Sequence, residues 1–293
     1  MLFQIVIISP PGYQHAAAFT EVAEALAYGL RALGHDAKIG TNRFGPGAVN
    51  IVLGIHLLPP PALAELPQET VVYNLEQVED HLFEWAPQLK EVFRRFEVWD
   101  YSKKNIQKLS EMGLAGPRLR LLPVGTVPEL CRIPKAPRQD IDVLFYGVVN
   151  ERRRLALKAI QDRGLNLAAV FGCYGAARDE LIARAKLVVN LHKHEAQVFE
   201  VVRVSYLLAN RKAVVAEMAP TTAIDADLRD AVAGVTYEDM AGECARLVAD
   251  PAARGALEER GFAAMTARSQ ADYLRILLEQ RASNLTHGAT SAH

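Results

Sequence analysis

The sequence predicts an α/β protein of two doubly wound domains, each a parallel sheet with helices on both faces. Three observations predict it. Short apolar, β-branched runs alternate along the chain with stretches whose apolar residues recur at helical spacing, the pattern of repeated strand, helix, strand units. The 293 residues exceed one ordinary domain and suit two of roughly 130 to 150 residues, each with its own core. A polar, proline-bearing passage near the middle separates two such alternating halves.

The first strand is the run 3–8, apolar except for Gln4, as expected of a strand buried on both faces of a parallel sheet. The loop Ser9-Pro10-Pro11-Gly12-Tyr13 ends it. Phe19, Val22, Ala23, Leu26, Leu30 and Leu33 then follow at helical spacing, Gly34 stops that helix, and residues 36–39 resume an extended pattern. Further strands are predicted at 50–53, 70–73, 97–100 and 118–122, with helices at 88–96 and 103–112. Residues 123–128 and 134–140 read as the passage between domains, with the boundary near Pro137, so that 1–136 form the first domain and 137–281 the second. The second half repeats the architecture: strands at 143–146, 167–171, 187–191, 213–216 and 235–237, and helices at 152–163, 178–185, 199–209, 240–249 and within about 252–280. Residues 282–293, polar and small, are expected to form a flexible tail.

Composition narrows the function classes. Hydrophobic residues make up 50% and charged residues 23%, a globular balance. A formal charge of -1, without a long basic stripe interleaved with aromatics, argues against nucleic acid as a partner. The apolar start has no basic n-region or small-residue cleavage site and is too short to span a bilayer, so no transmembrane segment is expected and the expected location is the cytoplasm. Cys131, Cys173 and Cys244 are widely spaced and in no paired motif, and read as reduced thiols. No Gly-x-Gly-x-x-Gly follows a strand, and neither a Walker A sequence nor a Gly-x-Ser-x-Gly elbow occurs. Asp225-Ala226-Asp227 follows no β run and reads as a helix start, while His35, His56 and His81 match no ligand spacing, so no metal and no other cofactor is expected.

Doubly wound sheets bind ligands at the carboxyl ends of their strands, and two of them joined by a short linker create a cleft there. After the strand 143–146 come Gly147, Asn150 and Arg152-Arg153-Arg154 at a helix start. Glycine permits close approach, the helix start offers unpaired N–H groups, and arginine supplies a fixed fork of donors, together a diphosphate cradle; the alternative is a basic, solvated first turn. The densest polar cluster holds Asn190, His192, Lys193, His194, Glu195, Glu200, Arg203, Asn210, Lys212 and Glu217, placed around one crevice by the doubly wound topology. Glu200 and Arg203 share a helical face and either pair with each other or turn one charge to a ligand. In the first half, His15 and Glu76 each follow a predicted strand and have the chemistry of a base that deprotonates an acceptor hydroxyl; each also reads as a loop or capping residue. Ser102 reads as the cap of the next helix.

The string Phe199-Glu200-Val201-Val202-Arg203, with Leu207-Leu208-Ala209-Asn210 and Ala213-Val214-Val215-Ala216-Glu217, resembles the donor-site helix and strand of GT-B glycosyltransferases. Preceded by Val189-Asn190-Leu191-His192, it especially resembles a group of bacterial polysaccharide glycosyltransferases. The resemblance implies two Rossmann-like domains facing each other across a cleft, the first binding the acceptor and the second a nucleotide-sugar donor. It implies that Glu200 holds ribose or sugar hydroxyls and that Arg153, Lys193 and Arg203 hold the diphosphate, with Gly147, Asn150, Asn190, His192 and Glu217 completing the donor site and Arg203 stabilising the departing charge without an obligatory metal. The acceptor would be a carbohydrate, lipid-linked or protein hydroxyl in surface polysaccharide or glycoconjugate synthesis, with a homo-oligomer or partner enzyme possible. Glu195 and Glu200 stand closer than the glutamate pair of many retaining members, and Asn210-Arg211-Lys212-Ala213 replaces their glycine-and-proline turn, so the stereochemical course is not legible. A non-catalytic module of the same fold, an epimerase and a phosphorylase are the rival readings.

Overall fold

The computed structural model describes residues 1–78, 82–114, 118–193 and 198–290. The chain forms two compact units, one of Met1–Val127 with Arg268–His293 and one of Pro128–Ala267.

In the first unit the strands are β1 (Leu2–Ile7), β2 (Asp36–Thr41), β3 (Val49–Leu53), β4 (Thr70–Asn74), β5 (Glu97–Asp100) and β6 (Leu119–Leu121). They form one parallel sheet in the order β2-β1-β3-β4-β5-β6. The apolar runs follow from burial on both faces: every residue of β3 and β4 is buried. The helix Thr20–Ala32 covers one face with Val22, Ala23, Leu26 and Leu30, and a second apolar cluster joins Val6, Val52, Val72, Phe83, Phe93 and Val98.

In the second unit β7 (Ile141–Tyr146), β8 (Leu167–Val170), β9 (Ala185–Asn190), β10 (Ala213–Glu217) and β11 (Ala233–Val235) form a parallel sheet in the order β11-β10-β9-β7-β8. Val143, Phe145, Leu187, Val189 and Val215 meet Leu157 and Ile160 of the helix Glu151–Gln161, and Cys244 and Leu247 of the helix Met240–Ala249, in its core. In each sheet the chain begins at an inner strand, builds outward on one side, then reverses to the other. The reversals lie between β1 and β3 and between β7 and β9, the switch points at which such sheets bind ligands.

Three expectations need correction. The chain enters the second unit at Pro128 rather than near Pro137. Between and within the stretches 123–128 and 134–140 that read as the passage, the N–H groups of Arg132 and Ile133 both donate to Asn210 Oδ1 at 2.7 Å, and Lys135 pairs with Glu258 at 2.9 Å. The last helix, Gln270–Thr290, belongs to the first unit instead of closing the second. It is tied there by Thr126 and Gln270, whose N–H groups donate to Arg268 O at 2.8 Å and Thr126 O at 2.9 Å, and by Arg281, which donates to Glu97 at 2.8 Å. The segment 282–293, expected as a tail, is helical as far as Thr290. The three cysteines are unbridged, and no helix among the described residues is long and apolar enough to cross a membrane.

Candidate functional site

The carboxyl ends of β7, β9 and β10 gather most of the polar residues singled out in the second half. β7 runs into Gly147, whose φ of +145° belongs to glycine. A Cβ there would sit 3.5 Å from Arg203 Nη2 and 3.8 Å from Arg153 Nη1, so the bare backbone lies beside two guanidinium groups. Asn150 caps the helix Glu151–Gln161: its Oδ1 accepts from Arg153 N at 3.0 Å, while its Nδ2 donates to Lys193 O at 2.6 Å. That cap occupies one of the N–H groups assigned from sequence to a diphosphate.

Two carboxylates organise the crevice. Glu217, at the end of β10, receives both Nη groups of Arg152, one at 2.7 Å, and the N–H of His192 at 3.0 Å. Arg152 also lies 4.1 Å over the ring of Tyr237 and donates to His192 O at 3.3 Å. Glu200 stands at the start of the helix Val201–Ala209, which begins two residues later than expected because Phe199 N–H donates to Ala223 O at 3.0 Å. No side chain caps that helix; the Glu200 carboxylate instead meets His192 Nδ1 at 2.9 Å and accepts from Asn190 Nδ2 at 2.7 Å. The Glu200–Arg203 ion pair weighed from the spacing is therefore not made, and the two meet only through Arg203 N–H and Glu200 O at 3.1 Å.

The arginines divide by contact. Arg154 is exposed and pairs with Glu151. Arg153 is buried and donates to Leu191 O at 3.1 and 2.6 Å and to Val148 O at 2.8 Å, pinning the loops after β7 and β9 together. Burial, followed by the neighbouring Arg203 charge, brings its pKa down to about 10. Arg203 lies 5.7 Å over the ring of Tyr146 and keeps Nη1 buried without a partner.

Two further buried atoms at the same edge have no partner: Asn190 Oδ1 and His192 Nε2, on residues 0% and 2% exposed. Buried polar atoms are rarely orphaned, and here one acceptor and two nitrogens are, on residues from the end of β9 to the first turn of an uncapped helix. Burial works against a charge on His192, but the hydrogen bond and charge of Glu200, with Glu217 behind, prevail and raise its pKa. Glu200 is held below the ordinary carboxyl range, its burial outweighed by His192, Asn190 and Arg203. The pair thus favours an imidazolium with a proton on the unpartnered Nε2.

Lys193 is exposed beside this group. His194, Glu195 and His81 lie outside the described residues. Lys212 and Asn210 leave the predicted cluster: Lys212 stands at the amino end of β10, its Nζ on Ala185 O at 2.6 Å at the amino end of β9, the opposite edge of the sheet. Among the described residues no group of three or more His, Cys, Asp or Glu is placed to hold a metal ion.

In the first unit, His15 lies in the 3-10 turn Gln14–Phe19 after β1, its ring 5.2 Å from that of Tyr13. Glu76 follows β4, and its carboxylate lies 3.8 Å from Nε2 of His56, a histidine that sequence spacing set aside. Burial lowers the His56 pKa against the pull of Glu76. The backbone carbonyl of Glu76 is held by Asn74 Nδ2 and Asn105 Nδ2, both at 2.9 Å. Both amides also bond Asp100, a wholly buried carboxyl at the end of β5 that burial pushes up to about 7 against those bonds. Ser102 accepts from Asn105 N at 3.4 Å, the cap expected from sequence.

No family model matches the sequence, and no curated protein matches it. Solved structures do match over nearly the whole chain. The Anabaena protein HepE in complex with UDP-glucose is 13% identical, with a TM-score of 0.65 over 96% of this chain and 99% of that one. A glycosyltransferase from Rickettsia africae is 10% identical, with a TM-score of 0.59 over 95% of this chain and 98% of that one. WaaG, a glycosyltransferase involved in lipopolysaccharide biosynthesis, is 12% identical, with a TM-score of 0.57 over 94% of this chain and 98% of that one. With two parallel sheets flanked by helices, the chain has the two-domain GT-B fold of these glycosyltransferases.

Proposed function

We propose that the protein is a glycosyltransferase whose second unit binds a nucleotide-sugar donor at the carboxyl ends of β7, β9 and β10, and which passes the sugar to an acceptor hydroxyl. The observation carrying this reading is that Arg203 Nη1, His192 Nε2 and Asn190 Oδ1, on the end of β9 and on the loop and helix that follow it, are all buried without a partner. A donor diphosphate accepts from the first two and a sugar or ribose hydroxyl donates to the third. Glu200 favours the protonated form of His192 and orients Asn190, and Glu217 orients Arg152. These carboxylates act through their partners, for Glu200 a different task from the direct hydroxyl contact suggested by resemblance. Exposed Val148, Val149 and Phe171 on the neighbouring loops supply apolar surface for the rest of a nucleotide.

In the reaction, the bond between the anomeric carbon and the diphosphate oxygen breaks, the electron pair leaves with the diphosphate, and the acceptor oxygen bonds the carbon. Arg203, His192 and the uncapped helix start stabilise the leaving charge in place of a metal ion. The first unit supplies the acceptor side, with His15 or Glu76 taking the acceptor proton. The UDP-glucose bound to HepE makes UDP-sugars the first donors to test, and the role of WaaG favours a bacterial polysaccharide or glycoconjugate product formed in the cytoplasm.

A thermal-shift screen against UDP, GDP, ADP, dTDP, CMP and their sugar conjugates tests the reading. A ligand at a hundred times its Kd adds about 2.7 kcal/mol to stability. One nucleotide is expected to shift the transition selectively, unchanged by EDTA, and its sugar conjugate to be consumed when acceptor is present. Binding without consumption identifies a non-catalytic module instead.

A further inference from the structure

A second site lies at the opposite edge of the second unit's sheet. A cavity of about 320 Å³ opens there, lined by Lys135, Asn210, Arg211, Lys212, Glu258 and Glu259 among others. Its volume sits at the lower end of small-molecule sites, too small for a nucleotide sugar. Lys135 is matched to Glu258 at 2.9 Å and Arg211 to Glu259 at 3.2 Å. Lys212 remains: it is 4% exposed, and its ammonium meets a carbonyl, Ala185 O at 2.6 Å, rather than a carboxylate. Glu258 is 6% exposed; one oxygen takes Lys135, and the other, Oε1, is buried without a partner. The cavity wall therefore carries a buried ammonium held by a carbonyl and a buried carboxylate oxygen without a donor, both costly until a further polar partner meets them.

Arg211, beside Lys212, lines the same cavity. It occupies the left-handed position, φ +50°, that ends the helix Val201–Ala209. Lys212 N donates to Leu207 O at 3.0 Å and Arg211 N to Leu208 O at 3.1 Å, the bond pattern of a Schellman cap in which glycine is the unstrained residue. An arginine occupies that position here, its guanidinium 3.4 Å over the ring of Phe262.

We propose that this cavity binds a phosphate that retains one O–H, either the free ion or a small phosphate monoester. Its charged oxygens accept from Lys212 Nζ while its O–H donates to Glu258 Oε1. Sulfate has the same shape and no proton to donate near neutral pH, so it is the comparison anion.

The test is calorimetric titration of inorganic phosphate, glucose 1-phosphate and sulfate into the wild-type protein and into Lys212→Met, Glu258→Gln and Arg203→Ala, with far-UV circular dichroism as the folding control. At least one of the two phosphates is expected to bind the wild type about tenfold or more tightly than sulfate, and Arg203→Ala equally well, since the donor cluster is not involved. The tighter of the two identifies the free ion or the ester as the ligand. Lys212→Met is expected to weaken that binding about tenfold or more. Glu258→Gln is expected to erase the preference over sulfate, because Lys135 takes the amide oxygen and leaves the amide N–H groups facing the cavity. Phosphate affinity unchanged in Lys212→Met, lost in Arg203→Ala, or undetectable at about 10 mM overturns the proposal. Should Lys212→Met fail to fold, a phosphate preference undiminished in Glu258→Gln overturns it alone.

Discussion

Replacing Arg203 by alanine separates the donor reading from a structural role for that residue. The guanidinium makes two contributions to the fold, of opposite sign. Its approach to the Tyr146 ring, at 5.7 Å, contributes about 0.5 to 1 kcal/mol, whereas its buried, unpartnered Nη1 costs about 1 to 3 kcal/mol. Arg203→Ala is therefore expected to leave unfolding free energy unchanged or to raise it by up to about 2.5 kcal/mol. Toward a diphosphate, the same group makes charge-assisted hydrogen bonds of about 1.5 to 3 kcal/mol, so the variant should bind donor about 10- to 150-fold more weakly. Arg203→Lys keeps the charge without the fork and should fall between. Arg153→Ala is the contrast: it frees the buried carbonyls of Leu191 and Val148 and should lose several kcal/mol of stability. Urea unfolding and calorimetric titration of UDP, run on all three variants, read both quantities. An Arg203→Ala protein destabilised by more than about 3 kcal/mol, with unaltered UDP affinity, refutes the reasoning.

Four further outcomes follow from the same geometry. His192 has a raised pKa in the folded protein, so its contribution to stability and donor binding is complete below the unfolded value of about 6.5 and fades as pH rises through the folded value; titrations from pH 5.5 to 8.5 should show UDP affinity falling in the wild type and flat in His192→Gln. Burial holds Lys212 down to about 8, so its destabilising charge is fully felt below that pH and relieved as pH rises; wild-type stability relative to Lys212→Met should increase by about 1.4 kcal/mol between pH 7 and pH 9 in urea melts. Gly147→Ala forces a side chain into φ +145° beside Arg203 and should cost about 1 to 3 kcal/mol, read as a lower Tm, together with weaker UDP binding. Of His15→Ala and Glu76→Gln, at least one should lower turnover by about 10² to 10⁴ with UDP affinity intact; full turnover in both removes the base from the first unit.

The strands were legible because parallel sheets bury both faces, which writes short apolar runs such as 51–53, 71–73, 187–189 and 213–216 into β3, β4, β9 and β10. Helix periodicity shows which residues are buried but not against which sheet, and so the helix Gln270–Thr290 was assigned to the wrong unit. Within the site, sequence placed the right loops together, since strand ends follow from topology. It could not say that Arg152 takes Glu217 while Arg153 turns inward to carbonyls, because adjacent helical residues differ by a rotation that only packing decides. His56 escaped notice because its partner, Glu76, is twenty residues away and meets it only across neighbouring strand ends. Lys212 misled for the opposite reason: its nearness to Glu217 along the chain spans the whole of β10 and thus separates the two edges of the sheet.

The most direct measurement is a crystal structure of the protein grown with UDP at millimolar concentration. The donor assignment predicts diphosphate oxygens about 2.7 to 3.2 Å from Arg203 Nη1 and His192 Nε2, with Asn190 Oδ1 facing the sugar side. UDP bound elsewhere on the chain, or a well-ordered crystal with Arg203 and His192 still unpartnered, contradicts it.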